Sequence, residues 1–282
     1  MKNKSIGWQR VLLIIIPYFF IVGIFQFVSL LIAGVDYKSH NLTKTSEQHL
    51  IIVFFGLLGI FFLLWLFMKY VDKEKFIKLG FATKSRFKEF NYGIAIGALI
   101  MISGYLFLLF IDEINFKEIV FNPKEIILSI LVYSIVAIAE EAIFRGYILR
   151  NFMISFNKYI ALIISSLLFS LVHGFNPNID LFSFFNLILA GILLGISYIY
   201  TKNLWFPIAL HLSWNLFQTL LGFNVSGRDY YSLVEFKIIE KNILNGGDFG
   251  FESSILSIIF QIIFIVMIWF YHKQKPFLNK YC

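Results

Sequence analysis

The chain is dominated by apolar runs that are long enough to cross a lipid bilayer. A membrane-spanning helix needs about 20 mostly apolar residues, within a range of ~17–25. Such runs predict eight transmembrane helices: Val11–Ala33, Leu50–Tyr70, Tyr92–Ile111, Ile126–Phe144, Tyr159–Phe175, Leu181–Tyr200, Leu204–Phe223 and Ile255–Tyr271. Only 15% of the 282 residues are charged, whereas soluble domains carry about 25%. We therefore predict an all-α, polytopic membrane protein that forms a single membrane domain over residues 1–282.

The basic residues predict how these helices are oriented in the membrane. With eight helices, most of the 24 Lys and Arg residues fall on the side that also holds both termini. Cytoplasmic connections carry an excess of Lys and Arg. We therefore predict a multi-pass protein of the cell membrane with both termini in the cytoplasm. The net charge of +7 has the same explanation, so it does not indicate binding of nucleic acid.

Two adjacent glutamates, Glu140 and Glu141, interrupt the fourth apolar run. A charged group inside a spanning helix costs roughly 2.5–3.5 kcal/mol on insertion scales, so a pair of acids there is expected to have a function. Glu141 precedes Arg145 by one helical turn, which is the favourable order for an ion pair. Glu140 points about 100° away around the helix. We expect Glu141 to be the charge-compensated partner of Arg145 and Glu140 to be the freer carboxylate.

The fifth and seventh apolar runs carry the other polar candidates. His211 and Asn215 are one helical turn apart and share a face of their helix, as do Phe169 and His173. Two histidines and an amide, together with two acids, form an unusually polar set for so apolar a chain.

The positions of the turns predict that these residues converge. With turns near Phe156–Asn157 and Asn203, antiparallel helices rising about 1.5 Å per residue bring Glu140, His173 and His211 to similar depths. We expect them to meet in the cytoplasmic half of the bilayer.

A carboxylate, two imidazoles and an amide are suited to hydrolysis by an activated water. Glu140 would accept a proton from water, and His211 and Asn215 would donate hydrogen bonds to a developing oxyanion. His173 would orient the water or protonate the leaving amine. Zinc stays an open alternative, because His173, His211 and Glu140 would fill three of its positions and leave one for water.

The same residues form three short motifs on successive apolar segments. They read EExxxR from Glu140 to Arg145, FxxxH from Phe169 to His173, and HxxxN from His211 to Asn215. In this order they resemble the motifs of the CAAX-protease and bacteriocin-processing family of intramembrane proteases, also called the Abi family. The resemblance covers about Ala137 to Phe217, within a catalytic-motif core that we place at residues 124–220.

The resemblance implies an eight-helix fold with a polar cavity open toward the cytoplasm. It also implies peptide-bond hydrolysis in which Glu140 and His173 activate water, while His211 and Asn215 form the oxyanion hole. Whether the activity is that of a metalloendopeptidase stays open, because family members have been argued to be glutamate-dependent as well as metal-dependent. The implied substrate is a peptide or a membrane-tethered protein, in CAAX processing or in bacteriocin processing or immunity.

Two other classes of function fit parts of the pattern. A membrane immunity or scaffold protein would use the polar residues as interhelical hydrogen bonds, which average only about 0.6 kcal/mol in membranes. A proton-coupled transporter would use Glu140 and the histidines as a relay. The chain lacks the paired broken helices in two corresponding halves that mark many transporters.

Overall fold

The computed structural model describes residues 6–35 and 44–278, with side chains through residue 274. Within these residues the chain forms eight helices: α1 (Ile6–Ile32), α2 (Ser46–Asp72), α3 (Phe87–Phe110), α4 (Pro123–Ser155), α5 (Lys158–His173), α6 (Leu181–Thr201), α7 (Trp205–Leu220) and α8 (Ile255–Leu278). Six described helices are long and apolar enough to cross a membrane, while α5 and α7 have 16 residues each. The predicted all-α, polytopic membrane fold is confirmed.

The turns between the central helices follow from local capping chemistry. The side chain of Asn157 accepts hydrogen bonds from the backbone N–H groups of Tyr159 and Ile160, at 2.9 and 3.1 Å, and so begins α5. Lys202 has a left-handed backbone, with φ of 53°, and ends α6. Both predicted turns, at Phe156–Asn157 and at Asn203, are therefore present.

Helix α4 widens into a π-helical turn over Ala142–Leu149, directly after the two glutamates. A π turn adds a residue to the helical turn and is often found at functional sites. The predicted end of this helix at Phe144 is wrong, since α4 continues to Ser155. The charge of Arg145 does not mark the membrane surface, because the side chain is buried in this turn and paired with Glu141.

Glycines allow the helices that carry the site to approach closely. A Cβ atom added at Gly97 of α3 would lie 2.8 Å from the side chain of Ser213 on α7. A Cβ atom at Gly191 of α6 would lie 2.7 Å from the Ser166 side chain on α5. These contacts hold α7 against α3 and α6 against α5, and thereby fix the positions of the helices that carry His211 and His173.

Two connections at one end of the bundle form a short antiparallel sheet, β1 (Ile114–Ile119) with β2 (Val234–Ile238). The second strand lies within residues 224–252, the polar stretch between the last two apolar runs, and strands this short show too little alternation of apolar and polar residues to be predicted. The connection folds back onto the helices, because Phe251 is fully buried against α3. A Cβ atom at Gly104 would lie 2.2 Å from the Phe251 ring.

At the other end of the bundle, a buried ionic cluster joins three helices. Asp72 at the end of α2 accepts hydrogen bonds from Arg10 of α1, at 2.9 Å, and from Arg150 of α4, at 3.3 Å. This cluster fixes the first part of α1 against the bundle.

Candidate active site

The buried carboxylate of Glu141 is the centre of a polar cluster between α4 and α7. Its Oε1 atom accepts hydrogen bonds from Nη1 of Arg145, at 2.8 Å, and from Nδ1 of His211, at 2.9 Å. Arg145 also donates to the backbone carbonyl of Gly191, at 3.2 Å, and its guanidinium lies 4.6 Å from the centre of the Phe169 ring. Because an ionised carboxylate can only accept, the His211 Nδ1 atom carries a proton.

The contact between Glu141 and Arg145 has the one-turn spacing predicted from the sequence. The contact between Glu141 and His211 was not predicted. It joins two helices, and helical periodicity relates residues only within one helix.

Glu140 lies beside this cluster but faces a cavity. Its side chain is 27% exposed, whereas that of Glu141 is 0% exposed. The Oε2 atom of Glu140 lies 3.7 Å from Nε2 of His173 and 3.9 Å from Nε2 of His211. These distances exceed those of direct hydrogen bonds and suit bridging by water. The two adjacent acids therefore differ, one in an ion pair and one open to the cavity.

His173 is the last residue of α5, and its ring orientation is fixed by its own helix. Nδ1 lies 2.8 Å from the backbone carbonyl of Phe169. A carbonyl oxygen only accepts, so Nδ1 donates, and the Nε2 atom of the neutral ring presents a lone pair toward Glu140. The Phe169 ring lies 4.4 Å from the His173 ring and 6.4 Å from the His211 ring, measured between centres. Phe169 thus forms an apolar wall between the two histidines and Arg145.

A cavity of about 600 Å³ brings together Glu140, His173, His211 and Asn215. His211 and Asn215 lie one turn apart on α7 and both line the cavity. The rest of the wall is largely apolar. Its further polar residues come from outside the three motifs and include Tyr18, His49, Tyr133, Asn176, Ser226, Arg228, Tyr230 and Glu252.

The cavity also reaches the side of the bundle. Ile15 and Phe19 of α1, and Leu171 and Val172 of α5, line the cavity and are exposed. Helix α1 packs against α2 and the last residues of α4, and makes no extensive contact with α5 among the described residues. The cavity is therefore open sideways between α1 and α5.

The cavity lies at the end of the bundle opposite the α4–α5 turn. Its wall includes Phe175 and Asn176, which follow α5, and Val225 and Ser226, which follow α7. A helix of 16 residues separates His173 from the α4–α5 turn, and this length corresponds to about 24 Å. The Lys and Arg distribution predicts these connections to be external, whereas the resemblance predicts a cavity open to the cytoplasm. In this fold the two expectations disagree.

The donor atoms have the types that zinc prefers, but not the spacing. A tetrahedral zinc ion with bonds of about 2.0–2.2 Å holds its ligand atoms roughly 3.3–3.6 Å apart. Both histidine nitrogens lie farther than this from Glu140 Oε2, at 3.7 and 3.9 Å. In the part of the chain that the structure describes, no group of three or more His, Cys, Asp or Glu residues is arranged to hold a metal ion. The residues as placed do not fit a metal centre.

Comparison with known proteins relates this site to one family. Residues 122–217 match the family model described as type II CAAX prenyl endopeptidase Rce1-like. This match includes all three motifs. This part of the chain is therefore similar to the CAAX-protease and bacteriocin-processing family, as the three motifs predict. No curated protein and no solved structure matches the chain significantly.

The similarity of residues 122–217 to this family supports a general activity as a CAAX-type intramembrane endopeptidase. The match ends before the connection that follows α7.

Sequence reasoning missed two contributions to the site. Gly191 contributes only its carbonyl, for which no motif exists. Glu252 could have been noticed in the sequence, because it is an acid directly before the last apolar run.

Proposed function

We propose that this protein is an intramembrane endopeptidase that hydrolyses a peptide bond of a membrane-associated peptide or protein, with Glu140 as the base that activates water. The observation that carries this proposal is the position of the Glu140 carboxylate, which faces two imidazole Nε2 atoms across gaps of 3.7 and 3.9 Å inside one cavity. The similarity of residues 122–217 to a family of CAAX-type endopeptidases supports the same reaction.

The first step is attack of water on the scissile carbonyl. A water in the gap can donate one hydrogen bond to Glu140 and another to the Nε2 lone pair of His173, which leaves an oxygen lone pair free for the carbonyl carbon. As the new C–O bond forms, Glu140 takes the proton and the carbonyl electron pair moves to the oxygen. His173 orients the water because its own Nδ1–H is held by the Phe169 carbonyl.

The oxyanion that forms needs hydrogen-bond donors from the protein. His211 donates through Nδ1 to Glu141, so its Nε2 atom becomes a donor only when the ring is an imidazolium. In this state the Glu141–Arg145 pair is neutral, and the imidazolium is balanced by the ionised Glu140 before attack and by the oxyanion after it. The His211 Nε2–H and the Asn215 amide then stabilise the oxyanion together.

Collapse of the tetrahedral intermediate completes the reaction. The C–N bond breaks, and the proton that Glu140 accepted passes to the leaving amine, either directly or through His173. The products are a new amine and a new carboxylic acid, which releases its proton to solvent or to the amine, and Glu140 returns to its ionised form. Glu141 does not touch the substrate in this scheme, and acts by orienting His211 and compensating Arg145.

The sideways opening between α1 and α5 favours substrates that are held in the bilayer. An apolar chain can enter the cavity from the lipid without crossing the polar surface, because both edges of the opening are apolar. We therefore propose a membrane-tethered substrate in the cell membrane. The known reactions of the family's namesakes, CAAX processing and bacteriocin processing, both act on peptides or proteins.

The proposal is tested by reconstituting the purified protein in lipid vesicles with a library of lipid-tethered peptides in oxygen-18 water. We expect cleavage at one bond, with one oxygen-18 atom in the new carboxylate of each cleaved peptide. The Glu140→Gln protein should leave the library intact. Glu125→Gln, a control on the first turn of the same helix, should cleave like wild type. A library left intact by wild-type protein, or cleaved equally by Glu140→Gln protein, would overturn the proposal.

A further inference from the structure

A third acid lies in the wall of the catalytic cavity. Glu252 precedes α8 and is only 7% exposed, yet it is among the residues that line the cavity. Its Oε1 atom accepts a hydrogen bond from the backbone N–H of Ser226. The residue lies outside residues 122–217, which match the family, and the proposed hydrolysis does not use it.

Glu252 forms no ion pair with any residue that the structure describes. Burial raises the pKa of Glu252, while hydrogen bonds from Ser226 act in the opposite direction. A buried carboxylate is costly unless a cation or a set of hydrogen bonds compensates it. One backbone N–H is a partial compensation, so the carboxylate has capacity for a cationic partner.

The fold holds Glu252 in place rigidly. Phe251 beside it is fully buried against Gly104 of α3, and Ser253 on the other side hydrogen-bonds to Ser183 of α6, at 2.6 Å between hydroxyl oxygens. Glu252 therefore lines the cavity from a fixed backbone position, as a selective binding group requires.

Among the residues that the structure describes, none forms an ion pair at this position. Arg228 also lines the cavity, but its side chain is exposed and it forms no ion pair with Glu252. His173 and His211 are oriented by Phe169 and Glu141, respectively. A cationic partner of Glu252 therefore has to come from the molecule that occupies the cavity.

We propose that Glu252 is a specificity residue, whose carboxylate binds a Lys or Arg side chain of the substrate close to the scissile bond. This proposal rests on the proposed endopeptidase function. It names a feature of the substrate that the three motifs do not encode, namely a positive charge next to an otherwise apolar segment.

Matched peptides test this assignment through cleavage. Two lipid-tethered peptides are identical except for one position next to the scissile bond, which is Lys in one peptide and norleucine in the other. This position is on the side of the bond where the cleaved library peptides favour a basic residue. We expect wild-type protein to cleave the Lys peptide with a kcat/KM at least about tenfold higher, since a site built for a polar group discriminates strongly against an apolar analogue. Glu252→Gln keeps an oxygen for Ser226 and should bring this ratio close to one. Glu240→Gln changes an exposed acid of the same connection and should leave the ratio as in wild type.

Binding to inactive protein separates this inference from the proposed function. In the Glu140→Gln background, the Lys peptide should raise the unfolding temperature more than the norleucine peptide does, and adding Glu252→Gln should remove the difference. If the Lys peptide binds through Glu252 in this way but wild-type protein cleaves neither peptide, only the endopeptidase proposal is refuted. Cleavage with a Lys preference that survives Glu252→Gln, or with no Lys preference, would refute only the role of Glu252. If Glu252→Gln fails to fold, Glu252→Asp keeps the charge and should lower the ratio without abolishing it.

Discussion

Replacing Glu141 by alanine is expected to destabilise the protein, whereas replacing its neighbour Glu140 by alanine is not. Glu141→Ala removes the carboxylate that accepts from Arg145 and from His211. The guanidinium of Arg145, with a side chain that is 2% exposed, keeps only the Gly191 carbonyl and the Phe169 ring. Breaking a buried ion pair by removing one partner costs about 3–5 kcal/mol.

This free energy translates into a measurable change in thermal stability. Each kcal/mol lowers the unfolding temperature by about 2–4 °C in proteins of 150–250 residues, so Glu141→Ala should lower it by about 6–20 °C. Glu140→Ala removes a side chain that is 27% exposed and makes no close ion pair. Its unfolding temperature should stay within a few degrees of wild type, while peptide cleavage is lost.

The assay is thermal unfolding of both purified variants in the same detergent, followed by peptide cleavage in vesicles. A double replacement, Glu141→Leu with Arg145→Met, should recover most of the stability, because apolar side chains of similar volume often replace buried ion pairs without loss. Activity should not return, since His211 still lacks its orienting carboxylate. A Glu141→Ala protein that is as stable as wild type but inactive would refute the compensating role assigned to Glu141.

Three further outcomes follow from the same structure. Asn215→Ala should lower kcat about 10²–10³-fold with little change in KM, as for loss of one oxyanion donor, and an unchanged kcat in steady-state cleavage would contradict that role. Gly104→Ala places a Cβ atom 2.2 Å from the Phe251 ring and should lower the free energy of unfolding by about 1–3 kcal/mol. Gly23→Ala, which meets no atom within 4 Å, is the matched control and should not destabilise the protein. Glu140 and the histidines do not have the spacing of a metal centre, so strong chelators should leave cleavage intact. If chelation abolishes cleavage and one zinc ion per chain restores it, this expectation is wrong.

Much of the fold could be predicted from the sequence, because a bilayer imposes both the length and the apolar character of its helices. The eight apolar runs match the eight helices, and the turns near Asn157 and Asn203 are where polar residues interrupt those runs. The end of α4 was wrong for a physical reason. An arginine after an apolar run predicts the membrane surface when its charge has no partner. Arg145 is instead buried, because Glu141 compensates its charge.

Contacts within one helix could also be predicted, whereas contacts between helices could not. Helical spacing predicts that the side chains of Glu140 and Glu141 point in different directions. In the structure Glu141 pairs with Arg145, whereas Glu140 lies near His173. The bond from His211 to Glu141, and the entry of Glu252 into the cavity, depend on how α7 and the following connection pack against α4. Such packing is decided by close approach at positions such as Gly97, which periodicity does not encode.

The central claim is that Glu140 is the base of a peptide-bond hydrolysis, and the ratio of kcat/KM between Glu140→Gln and wild-type protein tests it most directly. The amide keeps the size of the side chain and cannot accept a proton from water at neutral pH. Loss of a general base predicts a fall of about 10²–10⁴-fold, with an unfolding temperature close to that of wild type. A Glu140→Gln protein that cleaves the same bond at the wild-type rate would contradict the account.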